Sequence, residues 1–216
     1  MFDHPTVFLV DPDGPTRDAI RNLVYTMNLA CEAYASGHDF LQAYTAPRSG
    51  CLISEVRIPG ISGLEIQQRI SAQDPTLPLI FLATQPTVSI AVRAMRAGAL
   101  NLLEKPLRDH ELWDAIEEAI RVNRERQGAW AREQECRRRL AQLKPAERDI
   151  LQLMAEGRSK KWIATAIGVC TRTVEIRRTQ VMSKLNASTL KELVQYALLA
   201  QEGDGNGDRV HAVAEE

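Results

Sequence analysis

Two groups of residues in this chain have the types and spacing to do chemistry. The first centres on Glu55, which ends the apolar run Cys51-Leu52-Ile53-Ser54-Glu55-Val56 and precedes Arg57-Ile58-Pro59-Gly60-Ile61-Ser62-Gly63. A short apolar run reads as a buried parallel strand. A carboxylate at its C-terminal end faces the crevice where open α/β sheets hold their ligands. The second group lies near the C-terminus, on a helical stretch that carries Val174, Val181 and Leu185 on one side and Glu175, Ile176, Thr179 and Ser183 on the other. Thr171, Arg172, Thr173, Arg178 and Lys184 share that stretch, and Lys160 and Lys161 precede it. Cations of this kind suit phosphates, and the mixed polar and apolar side suits base edges. Glutamate can accept from cytosine N4, and Ile176 can pack on a thymine methyl.

The elements that must position Glu55 are regular. Apolar, β-branched runs occur at 6–10, 30–35, 51–56, 79–83 and 100–103, separated by helical patterns at 15–27, 39–44, 63–71, 87–97 and 109–122. In the fourth helix Val88, Ala91, Val92 and Met95 repeat at helical spacing. Strands alternating with helices imply a parallel sheet covered on both faces, and five repeats give a small doubly wound, flavodoxin-like (βα)5 domain over residues 1–122. Residues 123–143 read as a helical connector continuous with the last of these helices. Gly128 interrupts it at about 1 kcal/mol relative to alanine, and Trp130, Leu140 and Leu143 are too few to set a coiled-coil register.

The third segment, 144–200, reads as four helices. Pro145 suits a first turn, Gly157 a stop, Ser159 and Thr171 are caps, and Gly168 turns the chain between two short helices. The last helix, from Ser188 or Thr189, should turn Leu190, Leu193, Val194, Ala197 and Leu198 inward. Two short helices around a glycine turn form the helix-turn-helix pattern, whose second helix enters the major groove. Residues 201–216 are polar and glycine-rich and are expected to be disordered.

The formal net charge of −1 hides a division. Residues 1–122 hold 10 Lys and Arg against 15 Asp and Glu, a net −5, whereas residues 137–200 hold 13 against 5, a net +8. A basic second module points to a polyanion as partner. Four scattered cysteines (Cys31, Cys51, Cys136, Cys170) with no C-x-x-C pair support neither a metal site nor a disulfide framework. There is no glycine-rich phosphate loop, no apolar stretch near the ~20 residues that span a bilayer, and no signal-peptide pattern at the start. A cytoplasmic protein without a cofactor is expected.

The segment Ser54 to Gly63 resembles the phosphoacceptor segment of bacterial receiver domains. Leu143-Lys144-Pro145-Ala146-Glu147-Arg148-Asp149-Ile150-Leu151, Ala155 to Ala164, Ile167-Gly168-Val169, Thr171 to Glu175 and Val181 to Leu185 resemble LuxR-type DNA-binding domains in order and spacing. Arg177 stands where that family often has histidine, and Trp162 where glutamate is usual. From Thr6 to Ala200 the chain resembles a FixJ/NarL-type response regulator.

The resemblance implies a set of switch positions. Active receivers bind magnesium through an acidic pair beside an acceptor aspartate, and hold the phosphoryl oxygens with a hydroxyl and a lysine. Carried over, the pair becomes Asp11 and Pro12, the acceptor Glu55, the hydroxyl position Ala83, the aromatic switch position Leu102 and the lysine Lys105, before Pro106. Asp13 and Thr84 lie one residue from the matching places. Only Asp11 and Lys105 keep the family's chemistry, so the expectation is a regulator that acts independently of aspartyl phosphorylation. Two alternatives stand beside it: a conventional kinase-phosphorylated regulator using a non-standard site, and an interaction adaptor that does not bind DNA. Glu55 either stands in for a phosphorylated acceptor or merely satisfies Lys105. No nucleophile–base pair is present, and an enzyme is not expected. The resemblance also implies a homodimer formed through the 87–97 helix and the following strand, with Arg93 and Arg96 at the rim. Double-stranded DNA would be bound as two half-sites, and a sensor kinase would be a possible partner.

Overall fold

The structure, a computed structural model, describes the backbone of residues 4–211 and the side chains of residues 4–201. The chain divides into two compact units that meet between Trp130 and Ala131.

In the first unit, strands β1 (Thr6–Val10), β2 (Ala30–Tyr34), β3 (Gly50–Glu55), β4 (Leu79–Ala83) and β5 (Asn101–Glu104) alternate with helices α1 (Gly14–Thr26), α2 (Gly37–Ala43), α3 (Gly63–Gln73), α4 (Val88–Arg96) and α5 (Asp109–Ala141). The strands form one parallel sheet in the order β2-β1-β3-β4-β5, the flavodoxin-like arrangement. β1, β3 and β4 are buried along their whole length, as central strands covered on both faces must be. Alternate side chains feed two cores. Phe8, Phe40, Leu52, Ile66 and Phe81 pack on one face, and Val7, Leu9, Ile53, Ile80, Leu112 and Ile116 on the other. Asp13, Ser36, Ser62 and Thr87 cap α1 to α4, each accepting from the amide three residues on. Gly63 lets α3 start close beneath the sheet, because a Cβ there would stand 2.4 Å from the Glu55 carbonyl oxygen.

Packing of this unit continues past Val122. Asn123, buried on α5, accepts from the Gly50 amide at 3.0 Å and donates to the Thr76 carbonyl at 3.0 Å; Gln127 donates to the Arg48 carbonyl at 3.1 Å. These bonds tie the stretch read as a connector to the rim of the sheet. α5 itself runs unbroken through Gly128.

The apolar stripe of α4 is exposed, as the surface expected to form an interface would be. Ala94 is its buried residue and Ile90 packs partly on the core, whereas Val88, Val92 and Met95 are exposed at 82%, 42% and 50%. The stripe faces outward because α4 lies on its small-residue side against the sheet.

The second unit contains the end of α5 together with α6 (Pro145–Ala155), α7 (Lys160–Ala166), α8 (Thr171–Leu185) and α9 (Leu190–His211). Its core gathers Leu140, Leu143, Ile150, Leu151, Met154, Ile163, Val174, Val181, Leu185, Leu193, Tyr196 and Ala197. Leu193 and Ala197 face inward as expected, but Leu190, Val194 and Leu198 do not: all three are at least one-third exposed. The apolar face of α9 is wider than the surface it covers, and Tyr196, anchored by its hydroxyl to the Leu185 carbonyl at 2.7 Å, fixes which edge is buried. The backbone of α9 runs to His211; the expected disorder falls on residues 201–216, of which the side chains from 202 on and the whole of 212–216 lie outside the described residues. No helix among the described residues is long and apolar enough to cross a membrane.

Candidate functional site

The first candidate site lies at the C-terminal ends of the strands. Parallel register places Val10 beside Ser54, Glu55 beside Leu82 and Ala83 beside Glu104, so Asp11, Glu55, Ala83 and Lys105 converge. Asp11 is fully buried and Glu55 is 6% exposed. The Lys105 ammonium bridges them, with Nζ 2.5 Å from Asp11 Oδ2 and 2.8 Å from Glu55 Oε2. The remaining oxygens are also engaged: Asp11 Oδ1 accepts from the Asp13 amide at 2.9 Å, and Glu55 Oε1 from the Arg57 amide at 3.2 Å. Burial alone would lower the Lys105 pKa, but its hydrogen bonds to the two carboxylates and their charges outweigh it and raise the value.

The neighbouring positions add no ligand. Pro12 is exposed and has no donor or acceptor in its side chain. Ala83 is buried and contributes only its carbonyl, which accepts from the Lys105 amide at 2.8 Å. Thr84 is exposed. Asp13 is committed to capping α1, its Oδ2 accepting from the Thr16 amide at 3.0 Å and the Thr16 hydroxyl at 2.6 Å. Those bonds hold its carboxyl below the usual range. Leu102 is half-buried against the core. A magnesium ion wants about six hard oxygen ligands in near-octahedral geometry. Asp11 and Glu55 share the single charge of Lys105, each of their four carboxylate oxygens already has a partner, and Asp13 caps α1, so no carboxylate oxygen here is left unengaged for that ion.

The second candidate site is the face of α8. Gly168, at φ +68°, turns the chain out of α7, and Asn186, at φ +50°, ends α8. Val174, Val181 and Leu185 are fully buried, while Arg172, Glu175, Ile176, Arg178, Thr179 and Ser183 are exposed. Thr171 is exposed and Thr173 half-buried, its hydroxyl 3.2 Å from the Cys170 thiol. The cations divide into two kinds. Lys161, Arg172 and Arg178 make no ion pair among the described residues. Lys160 is paired with Glu175 at 2.6 Å, and Lys184 with Glu147 at 2.6 Å. Lys184 thus joins the end of α8 to the start of α6. Glu147 also accepts from the Lys144 amide at 2.7 Å, so one carboxylate starts α6 and anchors the end of α8. Sequence reading missed that role, although a glutamate three residues after a helix start is the signal of a capping box. The Trp162 departure has a partner: the Arg158 guanidinium lies 4.6 Å from the centre of its ring.

Residues 7–117 match the family model described as response regulator receiver domain, and residues 141–197 that of bacterial regulatory proteins of the luxR family. The transcriptional regulatory protein FixJ of Bradyrhizobium diazoefficiens is 34% identical over 90% of this chain and 95% of its own length. The transcriptional regulatory protein TdiR of Thauera aromatica is 33% identical over 89% of this chain and 85% of its own. Among solved structures, the response regulator StyR superposes with a TM-score of 0.76 at 34% identity, covering 90% of this chain and 98% of that one. Full-length FixJ from B. japonicum gives 0.55 at 33%, covering 92% and 98%. With a sheet of receiver order followed by a matching helical module, the chain belongs to the response regulators that join a receiver domain to a LuxR-type DNA-binding domain.

Proposed function

We propose that this chain is a DNA-binding transcriptional regulator of the cytoplasm whose receiver unit works without aspartyl phosphorylation. The observation that carries this reading is the Lys105 bridge between Asp11 and Glu55. In-line phosphoryl transfer depends on placing reacting atoms well, and errors of about 1 Å can cost 10²-fold in rate. Glu55 is one methylene longer than the acceptor aspartate of the family, its carboxylate is already paired with Lys105, and Ala83 supplies no hydroxyl. Glu55 holds Lys105 as an anion at the acceptor position, standing in for the phosphorylated state.

The output is DNA binding by a homodimer. The exposed stripe of α4 (Val88, Val92, Met95) supports a self-complementary contact on the receiver unit, with β5 beside it and Arg93 and Arg96 at its edge. Leu190, Val194 and Leu198 form a comparable stripe on α9. A dimer suits two half-sites, with α8 of each copy in the major groove.

Sedimentation of the full chain and its Glu55→Gln and Glu55→Ala variants, each with and without promoter fragments selected from genomic DNA, tests both parts. Loss of dimer and of tight DNA binding in both variants is the expected result. Unchanged association in both would reduce Glu55 to a simple partner of Lys105. Absence of DNA binding by the unmodified chain would leave the adaptor reading.

A further inference from the structure

Lys160 and Glu175 form the one ion pair that joins the two helices of the helix-turn-helix among the described residues. Lys160 opens α7 and Glu175 lies in the second turn of α8, with Nζ 2.6 Å from Oε1. At 100° per residue, Ser183, Ile176, Arg172 and Thr179 occupy the middle of the exposed face, and Glu175 its edge. A carboxylate at that place carries a problem: the groove it would enter is lined by phosphates, and an unpaired anion there is repelled. Pairing with a lysine removes the net charge and fixes the side chain in one direction. Both partners are about half exposed, so the pair adds little to folding.

We infer that Lys160 is a positioning residue for DNA specificity, holding the Glu175 carboxylate as an acceptor for the amino group of a cytosine rather than acting as another phosphate contact. This rests on DNA binding by the unit and adds to it which base is read and by what. Lys161, Arg172 and Arg178 remain the phosphate-facing cations.

The two roles of Lys160 leave different marks. A phosphate contact, when lost, weakens binding to all sequences alike and lowers the salt slope; a positioning residue, when lost, relaxes the preference at one base pair. The test uses the full-length chain with DNA fragments selected for binding, and measures affinity for the best site and for variants at every position. Glu175→Gln, Lys160→Ala and Lys160→Arg are compared with the unmodified chain. Expected is a position where cytosine is favoured by about 10-fold. That preference should fall to near unity in Glu175→Gln and Lys160→Ala, and survive in Lys160→Arg, with preferences elsewhere unchanged. A uniform loss across all sequences in Lys160→Ala, or a Glu175→Gln variant with every preference intact, would overturn the inference. Failure of the unmodified chain to bind DNA would overturn the function itself, and the inference with it.

Discussion

Two buried carboxylates depend on the single ammonium of Lys105. Lys105→Ala leaves Asp11 and Glu55 buried together without a counter-ion, and breaking a buried pair costs about 3–5 kcal/mol. Denaturant unfolding of the full chain should show the first unit destabilised by about that amount, and Lys105→Ala/Glu55→Gln should recover much of it. The raised Lys105 pKa has a pH consequence. A cation whose folded pKa lies above its unfolded value of about 10.5 contributes its stability in full below that value and loses it as pH rises through the folded pKa. Glu147 works with the opposite sign. Its hydrogen bond from Lys184, then that from the Lys144 amide, lowers its pKa from 4.5, so its contribution is present above pH 4.5 and lost as pH falls through the folded value. The Glu147→Gln variant should therefore be less stable than the unmodified chain at neutral pH, by about 1–3 kcal/mol. The difference should close in acid, as read by urea denaturation at a series of pH values. All four cysteines are free; burial pushes the Cys51 thiol up to about 12 and Cys31 up to about 11, whereas the hydrogen bond with Thr173 lowers the pKa of the exposed Cys170.

At the scale of elements, the strands and helices were legible because each is a short periodic pattern with a cap or a glycine at its end. β1 and β4 fall where apolar runs place them, and α8 ends where Leu185 meets a residue in the left-handed region. The site positions were legible for a different reason: motif spacing fixes Asp11, Glu55, Ala83 and Lys105 at strand ends whatever their side chains do. Partnership was not legible. That Lys184 meets Glu147 and Lys160 meets Glu175 depends on distances between helices, which no local pattern encodes. Nor was the exposed edge of α9, since periodicity marks an apolar stripe but not the surface that covers it. The α4 edge is testable. Val92 is 42% exposed, so Val92→Glu should leave unfolding within about 0.5 kcal/mol of the unmodified chain while shifting sedimentation toward monomer. On α8, Arg172→Ala and Arg178→Ala should each weaken binding to all DNA sequences and lower the slope of log affinity against log salt by about 0.9, as read by titration at several salt concentrations.

For the whole molecule, the division of charge follows the division of labour. The acidic receiver unit encloses a pocket in which one lysine bridges two carboxylates, and the basic unit exposes a helix face suited to a polyanion. The sheet order and the two cores of the receiver unit depend on apolar runs that Glu55, Pro12 and Ala83 do not interrupt. Under the function proposed, this unit regulates DNA binding without being phosphorylated. The most direct measurement treats the purified full chain with acetyl phosphate and magnesium, then reads intact mass and affinity for a selected DNA site in the same samples. No added phosphoryl group and the same affinity before and after treatment are expected. A phosphoryl group carried on Glu55, with an affinity gain that disappears in Glu55→Gln, would contradict the proposed function.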